Sequence, residues 1–257
     1  MFEISGVRKA FGDHQVLKGV DFTMRPGQVT ALMARNGAGK STLISILVGR
    51  LRANAGTVRW NGETVLEEGR PASRERALRL LRGLAAQDTG VYPELSVHEN
   101  LSFAGGWYGL RGRTLRAGVD AVIARLGLDE CASKKSRTLS GGQKRRLHMG
   151  MALVHRPGLV LLDEPTVGSD PEARRYILNA VRELTAEGAT VLYTSHYFPE
   201  IEELEADIAF LVDGRIEQQG SYAEITGGAN KGKSLEEIYF GMQRSVSGDA
   251  SSLAGVS

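Results

Sequence analysis

Apolar and polar positions alternate along residues 1–32 with the two-residue period of half-buried strands. FEISGVRKAF meets a turn at Gly12-Asp13, VLKGVDFTM follows, and Pro26-Gly27 turns the chain into the apolar run QVTALM. ALMARNGAGKSTLISILVG reads as strand, glycine-rich loop and helix, with Leu43, Ile46 and Leu47 at helical spacing and Gly49 closing the element. GTVRWNGETV at 56–65 predicts a hairpin with Asn61 and Gly62 at its tip, and EEGRPASRER at 67–76 a polar loop.

The period changes near residue 96. Ser96 followed by Glu99 is a capping-box signature ahead of VHENLSFAGGWYGL. Leu115, Val119, Val122, Ile123 and Leu126 recur at helical spacing, and a further helix is expected after Ser140. Residues 92–155 thus form a helical insertion between strands. Beyond it LVLLDEP and ATVLYTSH are buried strands. Between them lies a helix begun by Asp170-Pro171, with Ile177, Ala180, Val181 and Leu184 on its inner face. Residues 199–206 predict a short acidic helix, and IAFLVDGRIEQQG a hairpin turning at Asp213-Gly214. Strands alternating with helices argue an α/β chain built on a mostly parallel sheet covered on both faces.

Composition narrows the function. At 257 residues the chain suits one α/β domain with an attached subdomain. With 32 basic against 30 acidic residues, a net charge of +2 makes no bulk electrostatic case for nucleic acid. The single cysteine, Cys131, excludes an internal disulfide framework and fits a reducing cytosol. Apolar runs such as LVLL (159–162) and IAFLV (208–212) fall far short of the ~20 residues that span a bilayer. MFEISGVRKAFG lacks a signal-peptide core, so a cytoplasmic protein is expected, with any membrane part supplied by another chain. The small, polar tail from Ser245 is expected to be disordered.

Residues 34–42, ARNGAGKST, carry the chemistry of a phosphate loop. Gly37 and Gly39 let backbone N–H groups across Asn36, Gly37, Ala38 and Gly39 converge on one point, at which the following helix aims its positive end. Lys40 supplies a cation for β- and γ-phosphates, Ser41 a hydroxyl for Mg²⁺, and Thr42 a contact to an α-phosphate. Ala34 stands where the general pattern has glycine; alanine is tolerable there at negative φ and costs ~1 kcal/mol otherwise. Asp163 and Glu164 end a buried strand at its carboxyl edge, where open α/β sheets place ligands. Alternation along a strand points them in opposite directions, Asp163 toward Mg²⁺ and Glu164 toward an attacking water as general base. His196, after the strand ATVLYTS, is placed to reach the same water.

LSGGQ at 139–143, running into KRRLHMG, resembles the signature motif of ABC ATPases, and the other motifs follow that family's order across residues 1–225. The phosphate loop resembles Walker A and LVLLDE Walker B; Gln87 matches the Q-loop glutamine, Val167 to Asp170 the D-loop, and His196 the switch histidine. Phe11 lies where the family stacks an aromatic on adenine. The resemblance implies a P-loop NTPase (RecA-like) core with an antiparallel β subdomain and an inserted α-helical subdomain. It implies a cassette over 1–227, with a short helix and tail over 228–257, too short for a further regulatory domain.

Its implied cofactors are ATP and Mg²⁺, the metal held by Ser41, Gln87 and Asp163; Glu164, His196, Gln87 and Lys40 are the catalytic set. Ser140, Gly141, Gly142 and Gln143 would cover ATP bound to the Walker A loop of a second copy. Two ATPs are then sandwiched in a homodimer or pseudo-dimer. DTGVYPELSVHENLSFAGGWYG at 88–109, with Tyr92, Phe103, Trp107 and Tyr108 as exposed aromatics, would receive a helix of an integral membrane subunit at the inner face of the cell membrane. VYPELSV and SHYFPEIEEL look like the branch exporting drugs, antibiotics and sodium. Two other readings are a non-transport ABC ATPase acting on nucleic acid or ribosomes, and a regulatory protein impaired in hydrolysis. One cysteine, one cassette and Leu139 only 99 positions after Lys40 oppose the first; Glu164 and His196 oppose the second.

Overall fold

The opening alternation builds two long strands, β1 (Phe2–Phe11) and β2 (His14–Met24), paired antiparallel across the Gly12-Asp13 turn. The computed structural model describes residues 1–67, 70–71 and 82–242. β1 also pairs with β4 (Ala55–Trp60), which continues through the Asn61-Gly62 turn into β5 (Glu63–Glu67) and then β6 (Arg70–Pro71). Asn61 and Gly62 both have positive φ, 50° and 82°, as a tight two-residue hairpin turn requires. The polar loop expected over 67–76 falls largely outside the described residues, as does the tail from Ser245.

A second sheet holds β3 (Val29–Ala34), β7 (Arg82–Ala85), β8 (Leu159–Asp163), β9 (Thr190–Thr194), β10 (Asp207–Val212) and β11 (Arg215–Gly220). Its order is β11-β10-β3-β9-β8-β7, parallel throughout except for the antiparallel edge β11. Strand parity sorts its side chains. Leu32, Leu159, Leu161, Leu192, Ala209 and Leu211 pack toward the antiparallel sheet and α1 (Lys40–Leu47). Met33, Val160, Leu162, Val191, Ile208 and Phe210 pack toward the helices.

Those helices are α2 (Val97–Trp107), α3 (Gly112–Arg125) and α4 (Gly141–Leu153) between β7 and β8, then α5 (Pro171–Ala186), α6 (Phe198–Glu203) and α7 (Tyr222–Thr226). The Ser96 capping box is formed, and Asp170 caps α5 as expected. The acidic helix begins at Phe198 and ends at Glu203 rather than 206, because Glu205 takes a positive φ of 45°. A last helix, α8 (235–242), buries Leu235, Ile238 and Tyr239 in the same core, so packing does not stop at residue 227.

The helical block is joined to the sheet partly through His155. Its ring stacks on Tyr108 at 3.5 Å, and Nε2 donates to the Arg82 carbonyl at 3.0 Å. Burial, partly offset by that carbonyl, lowers its pKa from 6.5 to about 4. The folded chain thus keeps His155 neutral while the unfolded chain protonates below pH 6.5, so this group costs stability as pH falls from 6.5 toward 4. The full cost is on the order of 3 kcal/mol. His155→Phe is expected to lower stability at pH 7 by losing the hydrogen bond, yet to flatten the decline between pH 6.5 and 4 in denaturant titrations.

Candidate functional site

β3 ends at Ala34, which does not adopt positive φ, so the alanine in the glycine position carries no backbone strain. The loop then turns with Gly37 at φ 83° and Gly39 at φ 101°, and the Ala38 N–H donates to the Arg35 carbonyl at 3.1 Å. A Cβ on Gly39 would lie 2.7 Å from Leu17 Cδ2 and 3.2 Å from the Val16 carbonyl oxygen, so β2 presses directly on the loop. Among the described residues no side chain caps α1, and no acid lies in its first turn, which leaves its leading end open to an anion.

Lys40 opens α1. Its Nζ lies 2.6 Å from Glu164 Oε1 and 3.9 Å from Asp163 Oδ1. His196 Nδ1 lies 3.4 Å from Glu164 Oε2, its ring largely exposed. Strand alternation predicts opposed carboxylates; here the two converge on one ammonium. β8 ends at Asp163, and Glu164 sits in the left-handed region at φ 50°, which turns its side chain back toward Lys40. Thr194, on the neighbouring strand, pins this turn. Its hydroxyl donates to Asp163 Oδ1 at 2.7 Å, and the Glu164 N–H donates to its hydroxyl (2.9 Å) and carbonyl (3.1 Å). Burial alone would raise the Glu164 pKa, but Lys40, aided by His196, holds it below the ordinary carboxylate value. An ionised carboxylate suits a proton acceptor.

The remaining expected residues are less concentrated. Phe11 is half-exposed at the end of β1, with Lys9 Nζ 5.1 Å from its ring centre. Gln87 is exposed; its carbonyl accepts from Arg145, and among the described residues its side chain makes no hydrogen bond with the Lys40 group. Ser140 and Gln143 close a capping box on each other at 3.0 and 3.2 Å. No hydrogen bond or ion pair among the described residues joins 140–143 to 35–42. Gly141 has open space where a Cβ would be, whereas a Cβ on Gly142 would lie 2.6 Å from Asp170 Oδ2 and 2.8 Å from Ala173 Cβ. Gly142 therefore also allows close packing between α4 and α5.

Sequence reasoning missed Thr194 and Arg145. Thr194 was within reach, because parity along ATVLYTSH places it on the side of His196. Arg145, which also donates to the Val167 carbonyl at 3.0 Å, carries no signal within a basic run. A cleft of about 340 Å³ borders α2, lined by Tyr92, Phe103, Trp107, His148 and Met151 among others. Tyr92 and Phe103 meet edge-on at 4.9 Å, and Trp107 is 81% exposed. Tyr108 is not one of the exposed aromatics, since its ring is taken up by His155.

The profile of the family described as ABC transporter matches residues 17–167. The chain is 37% identical over 225 residues to the linearmycin resistance ATP-binding protein LnrL of Bacillus subtilis (strain 168), covering 88% of this chain and 70% of that protein. It is 35% identical over 228 residues to the daunorubicin resistance ATP-binding protein DrrA3 of Streptomyces coeruleorubidus, again 88% and 70%. Among solved structures, an ATP-binding subunit of an ABC transporter superposes with TM-score 0.84 at 26% identity, covering 94% of this chain and 99% of that one. Clostridium perfringens cbiO1, part of the ABC transporter complex cbiONQ, superposes with TM-score 0.77 at 26% identity over 94% and 98%. The glycine loop, the paired carboxylates at the head of a parallel sheet and these likenesses agree: the chain belongs to the ABC transporter family, as the subunit that binds and hydrolyses ATP.

Proposed function

We propose that two copies of this chain clasp two ATP molecules and use their hydrolysis to drive export through a separate membrane subunit. The observation that carries the reading is the Lys40–Glu164–His196 chain of contacts at 2.6 and 3.4 Å, set beside a glycine loop. Triphosphate oxygens compete with Glu164 for Lys40 and release that carboxylate to accept a proton from water. His196 holds the water and the γ-phosphate in line. The water oxygen bonds to the γ-phosphorus as the bond to the β–γ bridging oxygen breaks, yielding ADP and phosphate. Phe11 offers a ring for the adenine, and the Asn36 to Thr42 segment cradles the phosphates.

Among the described residues no cluster of three or more acidic, histidine or cysteine side chains could hold a metal by itself. The donors at hand are hard oxygens, the Ser41 hydroxyl and the Asp163 carboxylate, with the Gln87 amide as a third. That set fits Mg²⁺, which takes few protein ligands and completes its shell with phosphates and water. Bound there, it would neutralise charge on the β- and γ-phosphates.

Dimerisation is supported by the isolation of the signature from its own phosphate loop and by the open face at Gly141. A second copy's ATP fits the N-terminal end of α4, completing each site with the other's residues. The names of the resistance relatives support drug export. Among the described residues no helix is long and apolar enough to cross a membrane, so the pathway belongs to a partner that seats a helix in the Trp107 cleft. The chain then works from the cytoplasm, peripheral on the inner face of the membrane.

Glu164→Gln should bind ATP without hydrolysing it and accumulate as a dimer in saturating ATP by light scattering; a variant that stays monomeric would overturn the sandwich. Lys40→Ala is expected to weaken ATP binding about a hundredfold or more by calorimetry, since it removes the cation and strands Glu164. Tight binding retained would refute the phosphate-loop assignment. Trp107→Ala should weaken copurification with the membrane subunit while leaving ATP affinity intact, and full copurification would move the partner elsewhere.

A further inference from the structure

A second buried carboxylate lies one turn beyond His196. Glu200, on α6, is 1% exposed, and its Oε2 accepts hydrogen bonds from Tyr193 (2.7 Å), Thr166 (2.8 Å) and Ser195 (3.2 Å). Its Oε1 lies 3.0 Å from Arg174 Nε as an ion pair. The Arg174 guanidinium also covers the Tyr197 ring at 4.6 Å, and the Tyr197 N–H donates to Ser195 Oγ at 3.0 Å. Burial, then the charge of Glu200, pushes the Tyr193 phenol well above its ordinary pKa, so it remains a donor. A buried carboxylate survives only when so enclosed by donors and charge.

The contacts divide by parity. Along β9 and the residues after it, Tyr193 and Ser195 point to Glu200, while Thr194 and His196 point to Asp163 and Glu164. Thr166 follows Glu164 by two residues, and Arg174 lies one turn into the helix that Asp170 caps. Three segments, carrying Glu164, His196 and the 167–170 turn, therefore meet at one carboxylate.

We propose that Glu200 is a positioning residue for ATP hydrolysis, locking the His196 turn against the 164–166 turn so that imidazole and carboxylate keep their spacing. This rests on the reading that Glu164 and His196 serve hydrolysis. Among the described residues Glu200 makes no hydrogen bond or ion pair with residues 35–42, Glu164 or His196. Its loss therefore lowers the rate of the chemical step and leaves ATP binding at Lys40 in place.

The test compares kcat and ATP affinity in the full chain with Glu200→Gln, Tyr193→Phe and Ser195→Ala, using Glu164→Gln as control. Glu200→Gln should lower kcat about tenfold or more while the Kd for ATP stays within about threefold. Tyr193→Phe and Ser195→Ala keep the carboxylate but remove one donor each, and should lower kcat about two- to fivefold at unchanged Kd. Should Glu200→Gln fail to fold, these two variants decide. Parental kcat in them, or kcat and affinity falling together, overturns the positioning role while an inactive Glu164→Gln leaves the underlying reading intact. A fully active Glu164→Gln overturns that reading and this proposal with it.

Discussion

A largely buried ammonium held between two carboxylates organises the rest of this molecule. The side chains of Lys40 and Glu164 are 16% and 11% exposed, so neither charge could be left alone without a large desolvation penalty. To bring them together, the loop after β3 must deliver Lys40 to the head of α1, and Glu164 must leave β8 in a left-handed turn. Such a turn costs on the order of 1–3 kcal/mol for a residue with a side chain. Thr194 offsets it by holding the Glu164 N–H from both its hydroxyl and its carbonyl. Under the proposed cycle a triphosphate is the competitor for Lys40, which makes substrate binding and release of the base a single electrostatic event.

The elements were legible where one local rule governs them. Alternation and turn residues located β1 to β5, the Ser96 box and the Asp170-Pro171 start located α2 and α5, and the motifs located the residues around Lys40. What escaped was set by tertiary contact. Nothing local says that Glu164 abandons its strand, since that depends on the Lys40 charge and on Thr194 across the sheet. The same holds for Tyr108, expected among the exposed aromatics, whose ring is taken by His155 from the far end of the helical block. Nor does the sequence show that Gly142 lies so close to Asp170 and Ala173 that a Cβ would not fit.

The basic run after the signature illustrates the same limit. In the sequence Lys144-Arg145-Arg146 is a cationic patch. In the fold, Arg145 holds the Gln87 and Val167 carbonyls, while Arg146 is buried, donating to the Leu126 and Gly127 carbonyls at 2.8 Å and covering the Tyr176 ring. Two of three cations are thus committed internally. The run knits α4 to its neighbours, which agrees with the near-neutral charge of the chain.

The same packing joins the cleft beside α2 to the turn that carries Gln87. β7 lies against α4 so closely that a Cβ on Gly83 would come within 2.2 Å of the Ala152 carbonyl oxygen. Leu84 and Ala152, from the same two elements, line the cleft below Trp107. Gln87 leaves β7 two residues after its end, and Arg145 of α4 grips its carbonyl. With no slack at Gly83, a load on the cleft cannot be absorbed between strand and helix, because packed interiors resist gradual deformation. Under the proposed function it would pass to the Gln87 turn or to α4, which Ser140 caps at its leading end. Under the proposed function, a partner helix seated in the cleft would therefore act on the signature through α4.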